Sequence, residues 1–264
     1  MIRKLLLIFF LFGTLMYGAY GQDSLAYKSK WQFKLPIVGS IGVNIPITKF
    51  SQGAETDFLL QYRDYSYYME LPSVSYFFHK HWGVNFNLRF GFPFKDDSRT
   101  DDFIANVLSK YGNNYYVNVE TGEEEYIRGF RQGNIGVIYR FETNRAFVYP
   151  TFSVGWETIC TNHWQAHLKE RNSNNEYGYF LSTKNKSSND RNRYLTLIPS
   201  VSFGYKLSKR VFLNADVMLS YFRPNFVSEK EFVNLYTKES TVEYFEYRKD
   251  IFTLGLGAGL IISM

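Results

Sequence analysis

The sequence predicts an all-β fold: one closed antiparallel barrel of eight strands that crosses a membrane. Three observations carry this expectation. First, Trp82 to Phe94 alternates without a break, with Trp82, Val84, Phe86, Leu88, Phe90, Phe92 and Phe94 on one parity and Gly83, Asn85, Asn87, Arg89, Gly91 and Pro93 on the other. A period of two belongs to an extended strand with unlike faces, one large and apolar, one small or polar. Second, tight turns and long connections alternate along the chain, as in barrels with short turns at one end and long loops at the other. Third, beyond the N-terminus the most apolar stretch, Leu254 to Ile262, is too short and too Gly-rich to be a spanning helix, so any crossing uses strands, which in hydrocarbon have to close.

The N-terminus explains how such strands reach a membrane. Arg3 and Lys4 precede an apolar run from Leu5 to Met16, and Ala19-Tyr20-Gly21 supplies small residues where a signal peptidase cuts. Residues 1–21 read as a cleaved secretory signal peptide exported by the Sec route, with Gln22 as the mature start and 22–264 as one barrel domain. Aromatic residues form 19% of the chain, with 25 Phe and 22 Tyr, which suits lipid-facing rings and interfacial girdles. The formal charge of +5 is weak and mixed in sign, and nucleic acid is not an expected partner. Cys160 is the only cysteine, so no internal disulfide supports an exported chain.

Each strand is read from its alternation. Trp31 to Ile47 sets Trp31, Phe33, Leu35, Ile37, Ile41, Val43, Ile45 and Ile47 against Gln32, Lys34, Ser40, Gly42 and Asn44. Tyr67 to Phe78 sets Val74, Tyr76 and Phe78 against Ser73 and Ser75, with Leu71 and Phe77 breaking the pattern. Trp82 to Phe94 is the third strand. Phe130 to Phe141 sets Ile135, Val137, Tyr139 and Phe141 against Asn134, Gly136 and Arg140, and Ala146 to Thr158 sets Val148, Phe152, Val154 and Trp156 against Thr151, Ser153, Gly155 and Glu157. Tyr194 to Leu207, Val211 to Phe222 and Ile251 to Met264 repeat the scheme, the last with Gly255, Gly257 and Gly259 on its small face.

Three connections are tight: His79-Lys80-His81, Glu142 to Arg145, and Ser208-Lys209-Arg210. Four are long: Thr48 to Ser66, Lys95 to Gly129, Ile159 to Arg193, and Arg223 to Asp250. Eight strands with both ends on one side give three connections there and four on the other, the short periplasmic turns and long extracellular loops of bacterial outer-membrane barrels. A count of ten or twelve strands stays open through two candidate hairpins, Tyr115 to Val119 with Glu125 to Ile127, and Phe232 to Tyr236 with Val242 to Tyr247; both read better as extensions above the membrane, since they carry Glu123, Glu124, Glu125, Glu243 and Glu246. Asp101 to Lys110 reads as a short loop helix with Phe103, Val107 and Lys110 on one side.

On these patterns the chain resembles the eight-stranded outer-membrane barrels of the OmpA, OmpX and OmpW kind, and especially the outer-membrane β-barrel ("porin family") proteins of the Bacteroidetes. The resemblance covers the whole mature chain and rests on the signal peptide, the strand series, the Tyr205 to Leu213 turn and the Leu254 to Leu260 strand. It implies residence in a bacterial outer membrane, delivery by the outer-membrane insertion machinery, contact with membrane lipid and lipopolysaccharide, and a monomer. It supplies no substrate. Such barrels usually end in an aromatic residue, whereas this chain ends in Met264, which keeps the outward apolar parity.

The polar parity carries Lys34, Arg89, Arg140, Glu157, Lys206 and Asp216. On the lipid side near the midplane Arg89 would cost roughly 2–4 kcal/mol, so it is expected inside, where an eight-stranded barrel is narrow enough to be filled by side chains. Arg89 lies seven residues after Trp82 and Asp216 five after Val211, so the two are expected in one interior network, with Glu157 nearer the outer rim and Arg140 and Lys34 in the same set. The favoured function is an integral barrel with a structural or surface-interaction role, its interior plugged and its loops 95–129, 159–193 and 223–250 open to a surface ligand. Runs such as 171–176 and 184–193 read as mobile. Alternatives are an enzyme acting on lipid A or phospholipid, for which Glu157, Thr158 and His163 lie in the right zone, a narrow pore for ions or small solutes, and a soluble barrel holding an apolar ligand. No cofactor is expected, and His163 and His167, four apart, lack the Glu of a zinc protease motif.

Overall fold

The computed structural model describes residues 31–34, 40–48, 66–93, 97–121, 131–160, 163–171, 178–186 and 191–263. The signal segment 1–21, the start at Gln22, Met264 and the arm 125–127 lie outside the described residues, as does most of the first long loop. In chain order the elements are β1 (Trp31–Lys34), β2 (Ile41–Pro46), β3 (Ser66–Phe77), β4 (Trp82–Pro93), α1 (Asp97–Tyr111), β5 (Tyr115–Thr121), β6 (Arg131–Tyr139), β7 (Phe141–Glu142) and β8 (Ala146–Cys160). There follow β9 (Trp164–Glu170), β10 (Tyr179–Asn185), β11 (Arg191–Lys206), β12 (Val211–Phe222), β13 (Asn225–Asn234), β14 (Ser240–Arg248) and β15 (Ile251–Ser263).

Eight staves close into an antiparallel barrel. The first stave is β1 with β2; β3, β4, β6 with β7, β8, β11, β12 and β15 are the others, each hydrogen-bonded to the next. Closure is made where β15 meets the first stave, with Gln32 opposite Ser263 and Ile41 opposite Ala258. The other edge of that stave pairs with β3, Trp31 opposite Tyr76 and Ile41 opposite Met69. These eight staves coincide with the eight strands read from alternation, and the alternative of ten or twelve is set aside.

Side-chain volume and burial explain why each stave sits as it does. Along β4, Val84 and Phe86 are exposed while Asn85, Asn87 and Arg89 are buried, so the large apolar parity faces outward. The break at Leu71 is a bulge: the β3–β4 register shifts between Glu70 and Ser73, which puts both of those residues inside. The tight turns are held locally. His79 N–H donates to the Trp82 carbonyl at 3.1 Å, Thr143 Oγ1 accepts from Ala146 N–H at 3.0 Å, and Ser208 Oγ accepts from Val211 N–H at 3.1 Å.

Above the loop end stands a second sheet in the order β14-β13-β10-β9-β5. The hairpin expected within 115–127 does not describe β5, whose described partner is β9 of the next long loop, with Val117 opposite Leu168. The hairpin near 232–247 is present and longer, as β13 and β14. β9 and β10 are strands where the sequence suggested only loop, and β10 joins β13 with Leu181 opposite Phe232. Three long loops are thus woven into one sheet. Described parts of the runs read as mobile are ordered strand, Lys184 and Asn185 lying in β10 of this sheet and Arg191 opening the barrel stave β11, while 172–176 and 187–190 fall outside the described residues. Helix α1 runs longer than its expected 101–110 and packs Phe103 and Val107, one turn apart, onto the sheet; the Phe103 and Trp164 rings stack at 5.4 Å.

Trp164, Leu168 and Leu181 form the buried center of that upper layer. Truncating a buried Trp costs about 3–5 kcal/mol. Trp164→Ala is therefore expected to expose the loop sheet to limited proteolysis within 97–121 and 164–185 while the barrel keeps its folded band on an unheated denaturing gel. Loss of both together would show that the two layers do not separate.

Candidate functional site

The barrel interior is filled in three layers. At the turn end, Phe77, Ile138, Phe147, Tyr149, Phe212 and Ile261 form a buried apolar cluster. Phe147 stacks on Tyr149 at 4.4 Å and meets Phe212 edge-on at 5.8 Å. All six lie on the inward parity, so Phe77, which broke the sequence pattern, is part of the plug. Arg140 caps it, its guanidinium 4.0 Å from the Phe77 ring center and donating to the Lys80 carbonyl at 3.1 Å. Beside it Glu142 accepts from Lys206 Nζ at 2.9 Å and from the Tyr149 hydroxyl.

The middle layer is polar. Glu70, Arg89, Gln132 and Glu157 are successive register partners across β3, β4, β6 and β8. Arg89 Nε donates to Glu70 Oε2 at 3.1 Å and Nη1 to Gln132 Oε1 at 3.1 Å; Gln132 Nε2 then donates to Glu157 Oε2 at 3.0 Å. One amide therefore joins a cation on one side to a carboxylate on the other, and this fixes its orientation. Asn134 extends the set, donating to Gln132 Oε1 at 3.3 Å and to Asn87 Oδ1 at 2.7 Å, and Asn87 continues to Asn85 at 3.2 Å. All of these side chains are buried. On the opposite wall Asp216 accepts from Ser40 at 2.8 Å, from Asn214 at 2.7 Å and from Ser202. A cavity of about 30 Å³ lies between the two walls, lined by Glu70, Arg89 and Asp216 among others; that holds a few water molecules at most.

The third layer, Tyr68, Ile198, Met218, Phe222 and Ile251, roofs the polar set and runs into the core of the loop sheet. Tyr68 spans the bore because Gly42 and Gly257 make room for it: a Cβ on Gly42 would overlap its ring, and one on Gly257 would overlap its hydroxyl.

Of the residues expected in one network, Arg89 and Glu157 are joined through Gln132. Asp216 shares the cavity with Arg89, but the partner Arg89 bonds is Glu70. Glu70 was hidden because the bulge after it breaks parity. Arg140 belongs to the turn-end plug, and Lys34 closes β1 opposite Ser73. Glu157, Thr158 and His163 do not converge: neighbors on a strand point to opposite faces, so Glu157 is inside and Thr158 outside. His163 instead bonds Ser182 Oγ at 2.9 Å, and Ser182 is itself buried in the loop sheet. His167 lies within β9 and His163 immediately before it, and no cluster of metal-ligating side chains occurs among the described residues.

No protein-family profile and no curated protein sequence matches the chain. Among solved structures it is similar to a major outer membrane protein from Thermus thermophilus, at 10% identity and a TM-score of 0.38, over 89% of this chain and 99% of that one. It is also similar to Ail, the attachment invasion locus protein of Yersinia pestis, at 12% identity and a TM-score of 0.34, again over 89% and 99%. A third, the CymD monoaromatic hydrocarbon channel, has 9% identity and a TM-score of 0.18, over 90% of this chain and 89% of that one. At those values the likeness extends to no residue, site or ligand of this chain.

Removing one member of a buried ion pair costs about 3–5 kcal/mol because the other is left uncompensated. Arg89→Leu is expected to lower the temperature at which the folded band disappears on a denaturing gel. Arg89→Leu combined with Glu70→Leu is expected to recover part of that loss. If the double variant melts no higher than the single, the pair is not what Arg89 contributes.

Proposed function

We propose that this chain is an integral protein of a bacterial outer membrane: a plugged barrel that anchors a folded platform at the cell surface, with a structural or surface-interaction role. The observation that carries this reading is the outward face. Leu195 is 70% exposed, Ile135 63%, Val137 50% and Phe152 49%, and all lie on one side of a closed barrel whose mid-height charged residues, Glu70, Arg89, Glu157 and Asp216, lie buried on the other. A contiguous apolar surface of that extent is an aggregation hazard in water and fits a hydrocarbon band. It argues against a soluble barrel, whose faces would be reversed. The girdle also fits, since Trp82, Tyr139 and Phe141 cluster at the turn end, with ring centers 4.6 and 4.5 Å apart. Entry by a signal peptide and the insertion machinery belongs to the same proposal.

The interior supports a closed plug over a narrow pore, because large apolar side chains cross the bore above and below the polar layer. Extraction is the first test. The protein should stay with membranes through carbonate and high salt, and release by either would end the membrane reading. Conductance is the second. The wild type should give no discrete current steps in a planar bilayer. Phe147→Gly and Phe212→Gly combined with Tyr68→Gly, which removes two rings of the turn-end plug and the ring that spans the roof, should admit small ions. Steps of equal size in both proteins would favor the pore.

A further inference from the structure

We propose that Arg131 and Arg193, on either side of Thr158 on the outward face, form a binding site for the phosphate of an anionic outer-leaflet lipid. The proposal rests on the membrane reading above. Arg131 and Arg193 are both register partners of Thr158, so the three stand in one row across β6, β8 and β11. Their parity is that of Ile135, Trp156 and Leu195, the lipid-facing side, and both arginines are exposed. Adjacent strands lie about 4.8 Å apart, which separates the two backbones by roughly 10 Å, close enough for two long side chains to meet over one anion.

Neither guanidinium has a hydrogen-bond or ion-pair partner among the described residues. Arg223, another cation at the loop end, pairs with Asp250 at 3.5 Å. Two unneutralized cations side by side repel each other, and an anion between them relieves that repulsion. The planar fork of Arg matches phosphate with paired hydrogen bonds, and the Thr158 hydroxyl adds a third donor.

Height identifies the source of the phosphate. Arg193 is twelve residues along β11 from Tyr205, and Arg131 eight along β6 from Tyr139, both tyrosines lying at the turn end. At about 3.3 Å per residue and a tilt of about 40°, these runs rise roughly 30 and 20 Å, bracketing a hydrocarbon band of about 25 Å. The arginines thus stand where apolar surface ends and headgroups begin. The row just beneath them is Gly133, Trp156 and Leu195. A Cβ on Gly133 would run into the Trp156 ring, so the indole lies flat on the glycine. The result is a smooth apolar bed under a cationic pair, complementary to a lipid with a phosphate head and acyl chains and of no use to a free ion.

The test uses the full mature protein in detergent micelles, with bound lipid counted by native mass spectrometry. The probes are dilauroyl phosphatidic acid, dilauroyl phosphatidylcholine, whose phosphate is masked by choline, and inorganic phosphate. Wild type should retain phosphatidic acid over phosphatidylcholine by roughly tenfold, a preference of the size a charge-assisted phosphate contact supplies. Arg131→Gln with Arg193→Gln should reduce that ratio to near one, and Arg223→Gln should leave it intact. The proposal is overturned if the double variant keeps the preference, if wild type shows none, or if inorganic phosphate displaces the lipid at equal concentration. Flotation with liposomes separates the two readings. A double variant that inserts yet keeps its lipid preference sinks this site alone, whereas a wild type that does not float sinks the membrane reading itself.

Discussion

The seam between β15 and the first stave is the contact on which the rest of the molecule depends. A sheet in hydrocarbon has no water for its edge groups, so an unpaired strand edge there costs several kcal/mol for each amide. Pairing Gln32 with Ser263 and Ile41 with Ala258 removes the last free edges of the eight staves. The glycines of β15 serve this seam from inside: Gly257 faces Gly42 across it, and Tyr68 fills the space both leave. One bulky substitution there would disturb the closing register and the interior filling together.

Closure of eight staves makes a narrow bore, and the interior has to match it. Apolar rings fill the turn end, amides and hydroxyls the middle, and the roof merges with the loop sheet. The middle layer shows why charges are tolerated so deep. Arg89 pairs with the Glu70 carboxylate directly and reaches Glu157 through the Gln132 amide, so its buried charge is compensated. The asparagines on β4 and β6 complete the set, each donating to the next. A polar core of this kind fixes strand register more tightly than aliphatic packing does, because a slip of two residues would misalign every donor and acceptor.

Most of the barrel was legible in the sequence because its information is local. Each stave declares itself by alternation within its own dozen residues, and each tight turn by the residues between two such runs. Partners were harder. Arg89 was expected with Asp216 because both sit at similar heights, yet Glu70 lies directly opposite it, and the bulge before Ser73 concealed which way Glu70 faces. The inward ring Phe77 looked like an exception to the pattern and is instead part of the plug, beside Phe147 and Phe212. The loop sheet was least legible. β5, β9 and β10 are short, and β5 carries mixed side chains; β5 and β9 find partners in different connections, so no local period marks the pairing.

That weaving has a consequence for assembly. Pairing of β5 with β9 and of β10 with β13 joins connections that leave the barrel at different staves. Neighboring staves hold those segments side by side, which lowers the cost of pairing them. The β9–β10 and β13–β14 hairpins are local, whereas the β5–β9 and β10–β13 pairings that join them into one sheet depend on how the staves beneath are arranged. A protease or an antibody that reads the upper sheet would, in effect, be reading the arrangement of the barrel beneath it.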